Sequence, residues 1–286
     1  MDFAILLIKT VALRPYVFVF LAAALFCAQR LIGWRRTGRF FVITWITALL
    51  CELSSTRIGF PFGLYHYTMA TKGQELYISN VPFMDSVSFP FLLYASYCMA
   101  LAFLLPAQTE PAPKGSAHWQ LISLTLRSPM QSSMATMGLT ALFYVWIDMV
   151  LDPVALRGDQ WFLGHIYDYA EPGVHFGVPL TNYLGWATLG LLSLSAYFAL
   201  DRGFPVKPRQ AESDRWTTDS VLLGCVLYYG VLAFILAVAF WIGESLLGTI
   251  GVLMYIPITV LLVLRLTGRI PAQKLIVRTV KVERNR

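Results

Sequence analysis

Five polar side chains stand where long apolar runs would not be expected to hold them. Glu52 lies inside one run, Asp85 opens another, Asp148 and Asp152 close a third, and Asn182 begins a fourth. Ionisable groups within apolar segments of this length are costly and commonly mark function. Asp148 and Asp152 are four apart, so a helix presents both on one face. Carboxyls in an apolar setting can hold or release protons, which makes Glu52, Asp85, Asp148 and Asp152 candidate catalytic groups. Structural readings stand beside this one. Glu52 has Arg57 nearby as an ion-pair partner, Asp85 has the position of a helix cap, and Asp152-Pro153 has the form of a helix end.

Two aromatic segments flank these acids. The first is GFPFGLYHYT, residues 59–68, with two glycines, a proline and five rings counting His66. It is too aromatic for a solvated loop and too broken for a helix, and it reads as the lining of a pocket for a long apolar substrate. The second runs from Asp152 to Trp186 and carries Trp161, His165, Tyr167, Asp168, Tyr169, Glu171, His175 and Asn182. Candidate substrate contacts are Phe62, Gly63, Tyr65, His66 and Tyr67 in the first segment, and Trp161, Asn182, Tyr183 and Trp186 in the second. Aromatic belts at a membrane interface would also explain rings at such places. His66, His165 and His175 could ligate a metal with the acids, but none has HxxxH or HxxE spacing on a helix, and no metal is expected. No phosphate-cradling glycine loop and no G-x-S-x-G occurs, which disfavours nucleotide chemistry and serine hydrolysis. A faint internal echo is present: Glu52 precedes Pro82 by 30 residues, Asp148 precedes Pro179 by 31, and a Val-Pro pair opens the next apolar run each time.

The elements that must position these residues follow from composition. The 286 residues are 57% hydrophobic and 13% charged, with mean hydropathy +0.62, too apolar to cover a soluble surface. The expected fold is all-α: a single polytopic integral membrane domain over 1–286 with about seven transmembrane helices. The spans fall near 13–33, 40–57, 83–105, 132–152, 180–200, 218–242 and 247–266. Residues 1–12 are either an interfacial segment or an extension of the first span, retained in the chain.

Lys and Arg set the orientation. With the N-terminus outside, seventeen of them fall on the cytoplasmic side and five outside, and the C-terminus is cytoplasmic. The net charge of +6 therefore implies no nucleic-acid partner. Loops 58–82 and 153–179 then lie outside with the acids, and the basic tail 267–286 rests on anionic lipid. His118, in the Pro-rich cytoplasmic stretch AQTEPAPKGSAHW, reads as solvated. Cys27, Cys51, Cys98 and Cys225 lie in apolar runs without pairing motifs and read as core residues.

Several strings in order carry a resemblance. GFPFGLYHYT, the Val-Pro before the third span, DMVLDP, GDQW and FGVPLTNYLGW resemble the membrane family of carotenoid biosynthesis proteins that includes the bisanhydrobacterioruberin and gamma-carotene 1,2-hydratases. The likeness covers roughly residues 45–190. Glu52, Pro61, Phe62, Gly63, Tyr65, Tyr67, Asp148, Asp152, Pro153, Trp161, Pro179, Asn182, Gly185 and Trp186 match. VPFMDSVSFPF and IYDYAEP depart from the family pattern.

The resemblance implies an integral protein of a bacterial or archaeal cell membrane. It also implies addition of water to the terminal 1,2 double bond of an acyclic carotenoid, or chemistry on another polyprenyl lipid. Such an alkene is protonated at its less substituted carbon, and water captures the tertiary cation. Glu52 or Asp148 is then the acid, Asp152 or Asp85 orients water and takes its proton, and the rings of Tyr65, Tyr67, Trp161 and Trp186 stabilise the cation. Asn182 or His66 positions the water. No cofactor is required. A cyclase or isomerase using the same cation, and a lipid-binding or transport protein, are the alternative readings.

Overall fold

The computed structural model describes residues 3–108, 123–124, 132–202 and 214–269. Lys114, His118, Arg127, Lys207, Arg209 and the tail from residue 270 onward lie outside the described residues. Among the described residues, eight α-helices occur in the order α1 Phe3–Leu13, α2 Pro15–Ile32, α3 Trp34–Ile58, α4 Phe83–Leu104, α5 Met134–Ala155, α6 Leu180–Arg202, α7 Asp214–Trp241 and α8 Ser245–Leu266. Among the described residues, the seven from α2 to α8 are long and apolar enough to cross a membrane. The fold is the expected all-α bundle. Its centre is α4, buried on nearly every face from Met84 to Ala102 and packed against α2, α3, α5 and α7.

The punctuation is local chemistry. Pro15 sits at the first position of α2, where its missing N–H costs nothing, so residues before it form the separate helix α1. Gly33, at φ +77°, divides α2 from α3, and Gly59 ends α3 in the left-handed conformation. The second span starts at Trp34, six residues earlier than the apolar run indicates. Arg36 and Arg39 extend the helix at its polar end and meet Asp201 of α6 at 3.0 and 3.6 Å.

The structure corrects the reading of Asp152-Pro153 as a helix end. α5 continues through Pro153 to Ala155. Proline has no N–H to give the carbonyl four residues back. That carbonyl, Met149 O, instead lies 3.0 Å from His175 Nε2 on the following loop.

Two segments expected only as loops contain short strands. β1 Tyr65–Tyr67 pairs antiparallel with β6 Tyr167–Tyr169, with Tyr65 opposite Tyr169, His66 opposite Asp168 and Tyr67 opposite Tyr167. The other ribbons join β2 Tyr77–Ile78 to β3 Val81–Pro82, and β4 Ala107–Gln108 to β5 Ser123–Leu124. The β1–β6 ribbon holds both aromatic segments at the same end of the bundle.

Ion pairs tie that end together. Arg14, at the α1–α2 joint, meets Glu75 at 3.2 Å and donates to the carbonyls of Phe162 and Leu163. Arg157 contacts Glu244 at 2.5 Å and so links the second segment to the α7–α8 turn.

Candidate active site

In a strand, successive side chains point to opposite faces. Tyr65 and Tyr67 on β1, with Tyr167 and Tyr169 on β6, therefore turn inward, while His66 and Asp168 turn outward. The four inner rings pack edge to face with centroids 5.4 to 6.4 Å apart. This tyrosine box roofs a cavity that both aromatic segments line.

Beneath the box lie the acids. Glu52 and Asp152 are buried on α3 and α5, and both line the cavity, as does Asp85 in the first turn of α4. Asp152 is fully supplied with donors: Tyr167 Oη at 2.6 Å on Oδ1, and Tyr169 Oη at 2.8 Å and Asn182 Nδ2 at 2.9 Å on Oδ2. This is the environment of an ionised carboxylate, an acceptor at both oxygens.

Glu52 is held differently. Tyr67 Oη lies 2.7 Å from Glu52 Oε1 and 2.6 Å from Asp85 Oδ2. A phenol has one proton to donate. Both contacts are hydrogen bonds when one of the two carboxyls carries a proton and donates it to the Tyr67 oxygen. Glu52 Oε2 is buried and has no hydrogen-bond partner among the described residues.

Asp148 stands behind the cavity wall. Its Oδ2 accepts from Asn182 Nδ2 at 2.7 Å, and its Oδ1 has no partner among the described residues. The amide of Asn182 thus spans both aspartates on α5. Burial, followed by the negative charge of nearby acids, holds the hydroxyls of Tyr67, Tyr167 and Tyr169 well above the ordinary phenol range; Tyr65 shifts the same way, with burial and Glu52 as the leading causes. All four are phenols at neutral pH and remain donors.

The rest of the lining is apolar. Trp186 packs between Phe89 and Tyr144, with ring centroids 4.8 and 4.5 Å away. Trp161 donates to Val154 O at 3.1 Å and lies beside Phe162. Tyr16 and Phe20 of α2 and Phe234 of α7 close the wall, with Tyr16 stacked on Phe234 at 5.3 Å. These three were not legible as site residues. Their spans carry no polar punctuation, so no face of them stands out in sequence. Tyr167 and Tyr169 did carry a signal, the alternation in YDY that mirrors YHY, although only the pairing of strands shows its use.

The structure brings Glu52, Asp85, Asp152, Phe62, Tyr65, Tyr67, Trp161, Asn182 and Trp186 to one cavity. Gly63, His66 and Tyr183 lie outside its lining. Gly63, at φ +93°, passes close to Thr181, where a Cβ would come within 2.7 Å of the hydroxyl. Tyr183 packs against His175. His66 is exposed, with its Nε2 4.0 Å from Asp168, whose other oxygen is 2.7 Å from His165 Nε2. Among the described residues, no group of three or more His, Cys, Asp or Glu is arranged to hold a metal ion. Arg57 turns away from Glu52 to Leu53 O and Ser79 Oγ, and the Asp85 carboxyl takes the Tyr67 hydroxyl while the α4 N-cap residue, Pro82, makes no side-chain cap.

Comparison with known proteins places this cavity in context. The model of a family described as carotenoid biosynthesis protein matches residues 6–263. Bisanhydrobacterioruberin hydratase of Haloarcula japonica is 28% identical over 169 residues, which cover 59% of this chain and 47% of the relative. The chain thus spans about half the length of that curated relative. No solved structure matches it.

Proposed function

This chain belongs to the carotenoid biosynthesis protein family, and from that premise we propose that it hydrates the terminal 1,2 double bond of an acyclic carotenoid end group by acid catalysis. One observation carries the reading: at a cavity walled mainly by rings and aliphatic side chains, Glu52 and Asp85 share one phenol, while Asp152 receives three donors. A proton donor and a carboxylate thus face the same space in opposite states, as acid–base catalysis of an addition requires.

Glu52 gives its proton to C2, the carbon bearing a hydrogen. The π pair forms the new C–H bond and leaves a tertiary cation at C1. The tyrosine faces and Trp186 stabilise that cation, by about 2 kcal/mol or more for a desolvated ring. Water held near Asn182 attacks C1, and its surplus proton passes to Asp152. The sum is one water added, with no change in oxidation state and no cofactor consumed. The apolar wall of α2 and α7 receives the polyene next to the reacting end. With the N-terminus outside, as the Lys and Arg asymmetry favours, the site faces the outer side of the membrane.

Expression in a bacterium that accumulates lycopene tests the reading. The expected product is heavier by one water and absent with Glu52→Gln. A new pigment of unchanged mass identifies a cyclase or isomerase instead. Unchanged pigment, with the protein present in the membrane, contradicts carotenoid hydration and leaves another polyprenyl substrate or a transport role.

A further inference from the structure

The two halves of the cavity repeat one another in sequence and in space. Glu52 and Asp152, Arg57 and Arg157, and Tyr67 and Tyr167 are each 100 residues apart. The Val-Pro pairs at 81–82 and 178–179, Asp85 and Asn182, and Phe89 and Trp186 are each 97 apart.

The members of each pair make matching contacts. Tyr67 Oη lies 2.7 Å from Glu52, and Tyr167 donates to Asp152 at 2.6 Å, each against the acid fifteen residues earlier. Arg57 donates to Leu53 O and Arg157 to Pro153 O, each to the carbonyl four residues back. Tyr67 and Tyr167 face each other across the β1–β6 ribbon, and Phe89 meets Trp186 at 4.8 Å. Matching residues touch one another only near a two-fold axis. The 100-residue spacing aligns Glu52 with Asp152, one helical turn beyond the Asp148 of the fainter echo.

One difference between the halves bears on chemistry. The first has Asp85 where the second has Asn182. Asn182 only donates to Asp152, whereas Asp85 can pass a proton on. Glu52 is wholly buried, while Asp85 is partly exposed.

We propose that the site consists of two facing copies of one helix–loop–helix unit, and that the Asp85/Asn182 difference divides their labour: Asp85 and Tyr67 reload Glu52, and Asn182 keeps Asp152 as the base. The proposal rests on the hydration reading. After each turnover Glu52 is a carboxylate and Asp152 holds the proton taken from water. In the reload, Tyr67 gives its hydroxyl proton to Glu52 Oε1 and receives one from the Asp85 carboxyl on its oxygen. Asp85 regains a proton from bulk water, and Asp152 returns one to it, so the cycle balances. Asp85 is a relay residue that acts through Glu52, and Tyr67 relays with its hydroxyl alone, its ring face against the cation being one that Phe retains.

The test is rapid-quench turnover of lycopene by the purified full-length protein. Tyr67→Phe and Asp85→Asn are expected to make about one hydrated product per protein and then fall about a hundredfold below wild type in steady state. Tyr167→Phe, on the base side, is expected to slow the first turnover itself. The relay is overturned if Tyr67→Phe and Asp85→Asn run at the wild-type rate, or if both lose the first turnover together with the later ones. A wild-type protein that forms no hydrated lycopene overturns the hydration reading, and the relay with it.

Discussion

Glu52, Asp85, Asp148 and Asp152 lie in or directly behind one cavity, yet their surroundings differ enough to separate their tasks. Asp152 is saturated with donors, Glu52 and Asp85 share one phenol, and Asp148 sits behind the amide of Asn182. Glu52→Gln and Asp152→Asn are therefore expected to lower hydration at least about a hundredfold with the fold intact. Asp148→Asn acts only through Asn182 and is expected to cost about tenfold or less, well short of general acid–base loss. Equal loss in Asp148→Asn and Glu52→Gln, measured as product per protein, would contradict this ranking. Sequence put all four acids on the page and left Glu52 and Asp148 as equal candidates for the acid. It could not separate them, because hydrogen-bond partners come from loops that fold back from elsewhere in the chain.

The tyrosine box carries a pH prediction at the same scale. The folded state holds the phenol protons of Tyr65, Tyr67, Tyr167 and Tyr169 more tightly than an unfolded chain does. The sign follows: stability is fully present below the ordinary phenol value of about 10 and declines as pH rises beyond it. Alkaline titration of the protein in detergent should show these phenolates appearing together with unfolding. Their appearance in an intact fold would contradict the burial of the box.

At the scale of elements, the apolar runs made the spans readable, since crossing a bilayer takes about 20 apolar residues. The joints were less legible. Pro153 looks like a stop in sequence, but His175 reaches Met149 O and supports the turn that proline leaves open. Gly185 has a reason that only packing reveals: a Cβ there would meet Phe62 Cα at 2.8 Å. Gly185→Ala must push the aromatic segment off α6 and is expected to lower thermal stability by about 1–3 kcal/mol, read from melting in detergent. An unshifted melting temperature would mean that Phe62 is not seated there. Arg14 is 1% exposed and joined to Glu75, itself fully buried, and to the carbonyls of Phe162 and Leu163. Arg14→Ala leaves Glu75 uncompensated and is expected to destabilise by about 3–5 kcal/mol. Arg14→Ala together with Glu75→Gln should recover part of that loss, and no recovery would argue against the pair.

For the molecule as a whole, the β1–β6 ribbon gathers the site at one end of the bundle, the end that the Lys and Arg asymmetry favours as the outer one. Val174, 85% exposed on the second aromatic segment, provides a reporter, because all four native cysteines are buried. Val174→Cys in intact cells should react with a membrane-impermeant maleimide. Reaction only after lysis would put the site on the cytoplasmic side. The family likeness in sequence ran through residues 45–190, whereas the cavity also draws on α2 and α7, whose uniform apolarity hides which face they turn inward. Hydration needs the whole assembly, which must bring a polyene end, an acid and water together. The most direct test supplies purified protein with lycopene in water enriched in heavy oxygen and reads the product by mass. The account predicts a product that has gained one water molecule carrying the label, formed by the native protein and not by Glu52→Gln. A product without the labelled oxygen, or equal labelling by Glu52→Gln, would contradict it.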